Sequence, residues 1–226
     1  MTRSEQPGPF RNSAVWLLGA LALLFLSAPF LQDLRFGSLI DTGLVTLAMV
    51  FAVLTVGVRG RSLGIALLLG IPALAAKWIS FLHPELLSPV VFLAAGMLFF
   101  AFVVAHILRF ILHTLRVDSN VLCAGLAGYL ILGLLWVPAY VVVAHLDPRA
   151  FVISGDASAR MDGFRAFYFS FITLCTVGYG DVVPASRVAQ MLAITEAIAG
   201  LFYVAVLISR LVAIYSAAPP GDSAPR

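Results

Sequence analysis

Long apolar runs separated by short polar breaks set the pattern of this chain. A spanning helix needs about 20 mostly apolar residues to cross a hydrocarbon core of about 30 Å. Read between charged residues, the chain offers charge-free runs at 14–31, 42–58, 86–108 and 119–146. Two more runs carry one charge each: 62–82 holds Lys77 near its far end, and 188–209 holds Glu196. A lysine so placed can lay its stem along apolar surface and keep its ammonium at the interface. The pattern therefore predicts six membrane spans. The first follows Arg3 and Arg11 and has Ser27 and Ala28 near its end, features shared with a cleaved leader. Its 18 residues exceed the usual 7–15-residue apolar region of a signal peptide, so it reads as a retained anchor.

Connections are short except one. Between the fifth and sixth runs lie the 41 residues 147–187. The first part, 147–162, is polar, with Gly155, Asp156 and Ser158, and reads as an exposed loop. The second, 163–175, turns apolar and aromatic. A helix over these 13 residues reaches only about 20 Å at 1.5 Å per residue, so it can dip into a bilayer but not cross it. Backbone that then leaves the helix is tolerated at that depth only where it is buried in protein or lines water.

Composition agrees with a lipid-embedded body. The chain has 226 residues, 62% hydrophobic and 11% charged, with mean hydropathy +1.03. Soluble domains carry roughly 25% charge, so a soluble enzyme, a disordered chain and a secreted disulfide scaffold are excluded. Net charge is +3, yet no stretch joins clustered Lys/Arg to stacking aromatics, which speaks against nucleic acid as a partner. Cys123 and Cys175 both lie in apolar context and read as small buried thiols rather than a disulfide. The basic turn at Arg59 and Arg61, against the mixed signs of Asp33, Arg35 and Asp41, favours cytoplasmic termini by the positive-inside rule. Four segments follow: a cytoplasmic N-terminus 1–13, a four-helix domain 14–116, a unit 117–215 made of the last two runs and the long connection between them, and a disordered cytoplasmic tail 216–226.

The chemistry sits after the short helix, at Thr176-Val177-Gly178-Tyr179-Gly180-Asp181. A dehydrating K⁺ ion needs several oxygens of similar dipole strength, none binding too tightly. Successive backbone carbonyls can supply them only if they point the same way, whereas an extended strand alternates them. Gly178 and Gly180 give the backbone freedom for that arrangement. Val177 and Tyr179 would turn away from the axis, and the Thr176 hydroxyl would add one more oxygen ring.

This run resembles the selectivity filter of the potassium channel family, which is built from four Thr-Val-Gly-Tyr-Gly loops. The match covers all five residues and the following aspartate. The resemblance implies an all-α membrane protein with six transmembrane helices, a re-entrant pore helix and a filter loop between the fifth and sixth. It implies a homotetramer, because one chain supplies one loop, with K⁺ held at Thr176, Val177, Gly178 and Tyr179 and passing as permeant ion. No cofactor and no catalytic residue is implied. Asp181 would crown the outer mouth, and Tyr168 and Phe169 fall where the family places an aromatic cuff. Where some members carry an acid on the pore helix, this chain has Ile172, and Leu174 and Cys175 depart from a commoner Thr-rich run. Gly200, 22 residues past Gly178, falls near the family's gating hinge, with close helix packing as the other reading. Glu196, the acid within a span, is expected behind the filter, bonded to pore-helix hydroxyls such as Ser170 or Thr173.

Four runs before the pore unit resemble the layout of voltage-gated channels in topology only. A voltage-sensing fourth span carries 3–4 gating charges, whereas 86–108 carries none and Arg109, Arg116, His106 and His113 gather at its end. Weak voltage dependence is the expectation. No EF-hand, phosphate-binding glycine loop or zinc spacing is present in the sequence. The rival to a channel is an accessory membrane subunit that keeps the pore fold without conducting.

Overall fold

The computed structural model describes residues 13–31, 36–56, 61–83, 89–114, 118–155 and 160–216. Seven helices occur among them: α1 (Ser13–Leu31), α2 (Gly37–Val56), α3 (Arg61–Leu82), α4 (Pro89–His113), α5 (Ser119–Leu146), α6 (Gly163–Leu174) and α7 (Arg187–Ser216). All but α6 are long and apolar enough to cross a membrane. The six anticipated spans are thus present in the multi-pass membrane protein. The α2 helix starts earlier than the charge pattern suggested, so Asp41 lies inside it and pairs with Lys77 of α3 at 3.0 Å. A carboxylate with a cation alongside no longer marks a loop.

Each of α1 to α4 packs on the next, and α1 and α4 both pack on α5. Buried Ala48, Ala52, Ala66, Ala73, Ala124 and Ala127 line these contacts. Small residues are what lipid demands, since helices there gain only by close approach. Larger side chains fill the remaining space, with Leu17, Leu21, Phe99, Ile107 and Ile131 fully enclosed. Pro29, Pro72 and Pro138 lie within helices.

The α6 helix is held between α5 and α7. Asp162 caps its start by accepting the Arg165 amide at 2.8 Å, a common way to satisfy a first-turn N–H. Before and after α6 run two short strands, β1 (Phe151–Ile153) and β2 (Val182–Pro184), paired antiparallel with Phe151 opposite Pro184. The expectation of an exposed loop over 147–162 is therefore corrected at Ala150–Ile153. Ala150 and Phe151 are buried, because Phe151 packs edge-on against Tyr140 and Phe169, at 5.8 and 5.6 Å between ring centres. Asp156 and Ser158 lie outside the described residues, as do Arg3, Arg11, Arg35, Arg59 and Arg116.

Candidate functional site

The segment after α6 is tied down by its amides. Cys175 N–H donates to the Phe171 carbonyl (3.0 Å) and Thr176 N–H to Thr173 (2.9 Å). Val177 and Gly178 N–H then both turn back to the Ile172 carbonyl, at 2.8 and 3.2 Å. No hydrogen bond among the described residues ends on the carbonyls of Thr176, Val177, Gly178, Tyr179 or Gly180. Five consecutive acceptors are left open at a chain segment whose donors are largely spent.

Backbone angles explain how. Thr176, Gly178 and Gly180 have φ of 58°, 55° and 80°, alternating with Val177 and Tyr179 at negative φ. Alternating the sign of φ swings successive peptide planes so that neighbouring carbonyls no longer face opposite ways. The two glycines were legible from sequence; Thr176 was not. A β-branched residue in the left-handed region is costly, about 1–3 kcal/mol, and such strain concentrates at working sites. Val177 and Tyr179 stand 50% and 73% exposed on the single chain. Cys175, expected buried, is exposed at the same edge and is a free thiol, as is Cys123. The Tyr129 hydroxyl reaches the neighbouring Leu174 carbonyl at 3.3 Å.

The far side of this segment is held by Asp181, whose carbonyl accepts the Ser154 amide at 2.8 Å. Its carboxylate, with one buried oxygen unpartnered, lies beside Tyr168. Hydrogen bonding to that carboxylate raises the Tyr168 phenol above its usual pKa, with partial desolvation and nearby charge adding to the shift. Phe169 faces the other way, its ring 4.9 Å from Tyr140.

Glu196 is fully buried on α7. Its carboxylate meets the Tyr140 hydroxyl from α5 and the Ser170 hydroxyl from α6. Ser170 also donates to the Gly133 carbonyl of α5 at 2.8 Å. One acid thus joins the three helices around the open-carbonyl segment. Sequence reasoning pointed to Ser170 and missed Tyr140, although a tyrosine inside an apolar span must find a partner for its hydroxyl. Gly200 lies one turn further along an unbroken α7; a Cβ there would sit 2.7 Å from the Leu174 carbonyl, at the end of α6. Close approach, the second of the two readings of this glycine, is what the contact requires. At the other end of α7, Arg210 donates to the Thr114 carbonyl at 2.8 Å. Among the described residues no three His, Cys, Asp or Glu side chains gather as metal ligands.

The sequence profile of a family described as "Ion channel" matches residues 122–217, which hold most of α5 and all of β1, α6, β2 and α7. Among curated proteins, the chain is 36% identical over 85 residues to the two pore potassium channel b of Oryza sativa subsp. japonica, 38% of this chain and 21% of that one. It is 35% identical over 80 residues to the inward rectifier potassium channel Kirbac3.1 of Paramagnetospirillum magnetotacticum, 34% of this chain and 27% of the other. It is 44% identical over 53 residues to the voltage-gated potassium channel Kch of Escherichia coli strain K12, 23% of this chain and 13% of the relative. The chain thus spans about a quarter or less of the length of these relatives. No solved structure matches it. The 122–217 unit that frames the open-carbonyl segment thus matches a family of ion channels, and within it the chain is similar to potassium channels.

Proposed function

We propose that this protein is a potassium-selective channel, working as a homotetramer in a plasma or inner membrane with both termini cytoplasmic. In this reading α6 is a re-entrant pore helix and 176–180 the filter, four copies of which surround one axis. The observation that carries it is the row of five carbonyls without a hydrogen-bond donor. Residues 176–180 are exposed on the single chain; once four copies enclose them, unpaired carbonyls become costly, and a dehydrated cation is the partner that repays them without a proton donor. The exposed Val177 and Tyr179 and the mostly exposed α7 face, including Ile194, Leu201 and Phe202, supply apolar surface for neighbouring copies. Asp181 from each copy would then draw cations to the mouth.

Voltage plays a weak part in this reading, since α4 carries Arg109 only at its end and exposed. The test is reconstitution in liposomes: K⁺ or ⁸⁶Rb⁺ flux, and a reversal potential in mixed K⁺/Na⁺ that follows K⁺. A reversal potential that ignores the K⁺ gradient, or flux untouched by Gly178→Ala, overturns the proposal. A conductance that rises steeply with voltage and is flattened by Arg109→Gln overturns the gating part alone.

A further inference from the structure

Away from the filter, a cavity of about 740 Å³ opens among α1 to α6, within the range of roughly 300–1,000 Å³ that small-molecule sites occupy. Its lining runs along α2 from Gly37 to Met49, twelve steps of 1.5 Å or about 18 Å. Half of a hydrocarbon core of about 30 Å is about 15 Å, close to that length. The walls come from the C-terminal halves of α1, α3 and α5, the N-terminal half of α4 and α2 from its start to just past its middle. The cavity therefore belongs to one leaflet, the one on whose side α6 begins.

Its surface is apolar except towards one end, where the Asp41–Lys77 pair and Ser38 line it. Both side chains are only partly covered, at 28% exposed for Lys77 and 43% for Asp41. Gly163, Phe164 and Phe167 of α6 close one wall. Phe167 in turn packs on Phe25 of α1 and Phe171 of α6, at 4.8 and 5.0 Å between ring centres.

We infer that this cavity is a binding site for a zwitterionic phospholipid with a primary-amine head, a phosphatidylethanolamine. The depth fits the acyl region of one leaflet. The polar level is net neutral, so a neutral head with separated charges fits it, phosphate to Lys77 and ammonium to Asp41. An anionic head leaves Asp41 facing a like charge, and a choline head has no N–H to give it. The occupant lies against α6 and bears on the helix that carries the filter.

Native mass spectrometry of the full-length assembly, with added dioleoylphosphatidylethanolamine, -choline or -glycerol, tests this without any ion flux, so its result is independent of the conduction reading. Phosphatidylethanolamine is retained about tenfold more than phosphatidylcholine, the factor that one charge-assisted hydrogen bond supplies. Asp41→Asn moves the preference to phosphatidylglycerol, because Lys77 then lacks its anion. Gly96→Trp, at a lining position where a Cβ meets nothing within 4 Å, places an indole ring in the space and lowers retention of all three, while the mass of the intact assembly in the same spectrum reports folding. Equal retention of the ethanolamine and choline lipids, an Asp41→Asn variant that keeps the wild-type preference, or an intact Gly96→Trp assembly that holds as much lipid as the parent each overturns the inference.

Discussion

Removing the Glu196 carboxylate tests how the site is braced. In Glu196→Ala the Tyr140 hydroxyl, fully buried, loses the acceptor it has. An orphaned buried donor costs about 1–3 kcal/mol. Ser170 keeps the Gly133 carbonyl, so it adds little. The space vacated at a fully enclosed position adds about 2 kcal/mol, the low end for large-to-small changes. The sum is about 3–5 kcal/mol. At about 2–4 °C per kcal/mol for a chain of this size, thermal unfolding falls by about 6–20 °C. Tryptophan fluorescence in detergent reads it, with Trp136 on α5 packed beside the Tyr140 cluster as local reporter. Glu196→Gln behaves differently. The Ser170 hydroxyl has one proton and two acceptors within reach; a glutamine amide can donate to its oxygen while the amide oxygen accepts from Tyr140. That variant should stay within about 1 kcal/mol of the parent, since both hydrogen bonds are retained. Tyr140→Phe should cost about 1–3 kcal/mol alone and close to nothing in the Glu196→Ala background, where the hydroxyl has no partner to lose. A glutamine variant as damaged as the alanine one, or a Tyr140→Phe cost equal in both backgrounds, would refute the bracing argument.

Three further outcomes follow from the geometry. Gly178→Ala puts a Cβ at φ 55° with open space around it, so the loss should be about 1–2 kcal/mol of backbone strain together with lost ⁸⁶Rb⁺ flux; flux intact at parental stability contradicts it. Gly200→Ala forces a Cβ onto the Leu174 carbonyl at 2.7 Å and should destabilise by about 1–3 kcal/mol, whereas a glycine kept only as a hinge would gain about 1 kcal/mol; melting curves decide by sign. Asp181 raises the Tyr168 phenol, so that contact contributes fully below the ordinary tyrosine value of about 10 and is lost as pH rises through the raised one. Asp181→Asn should bring one tyrosinate absorbance step to lower pH, and the step should be missing in Tyr168→Phe.

The parts of this molecule that declared themselves in sequence were those governed by local rules. Six runs matched to bilayer thickness became six helices, and the glycine pair at Gly178 and Gly180 marked where φ turns positive. What stayed hidden depends on residues far apart in sequence. The strand Phe151–Ile153 pairs with residues some thirty positions later, and three residues are too few for an alternating pattern to show. Tyr140 meets Glu196 only because α5 and α7 flank the same short helix. Asp41 looked like a loop charge because an isolated acid is unwelcome in lipid, yet Lys77, thirty-six residues on, makes it tolerable inside a helix. The same logic explains Thr176. No propensity favours a threonine at φ 58°, so the position is imposed by the amides of Val177 and Gly178 being drawn back to Ile172. The end of α6 thus winds the backbone into a conformation the residue itself resists, and leaves the carbonyls from Thr176 to Gly180 without a donor.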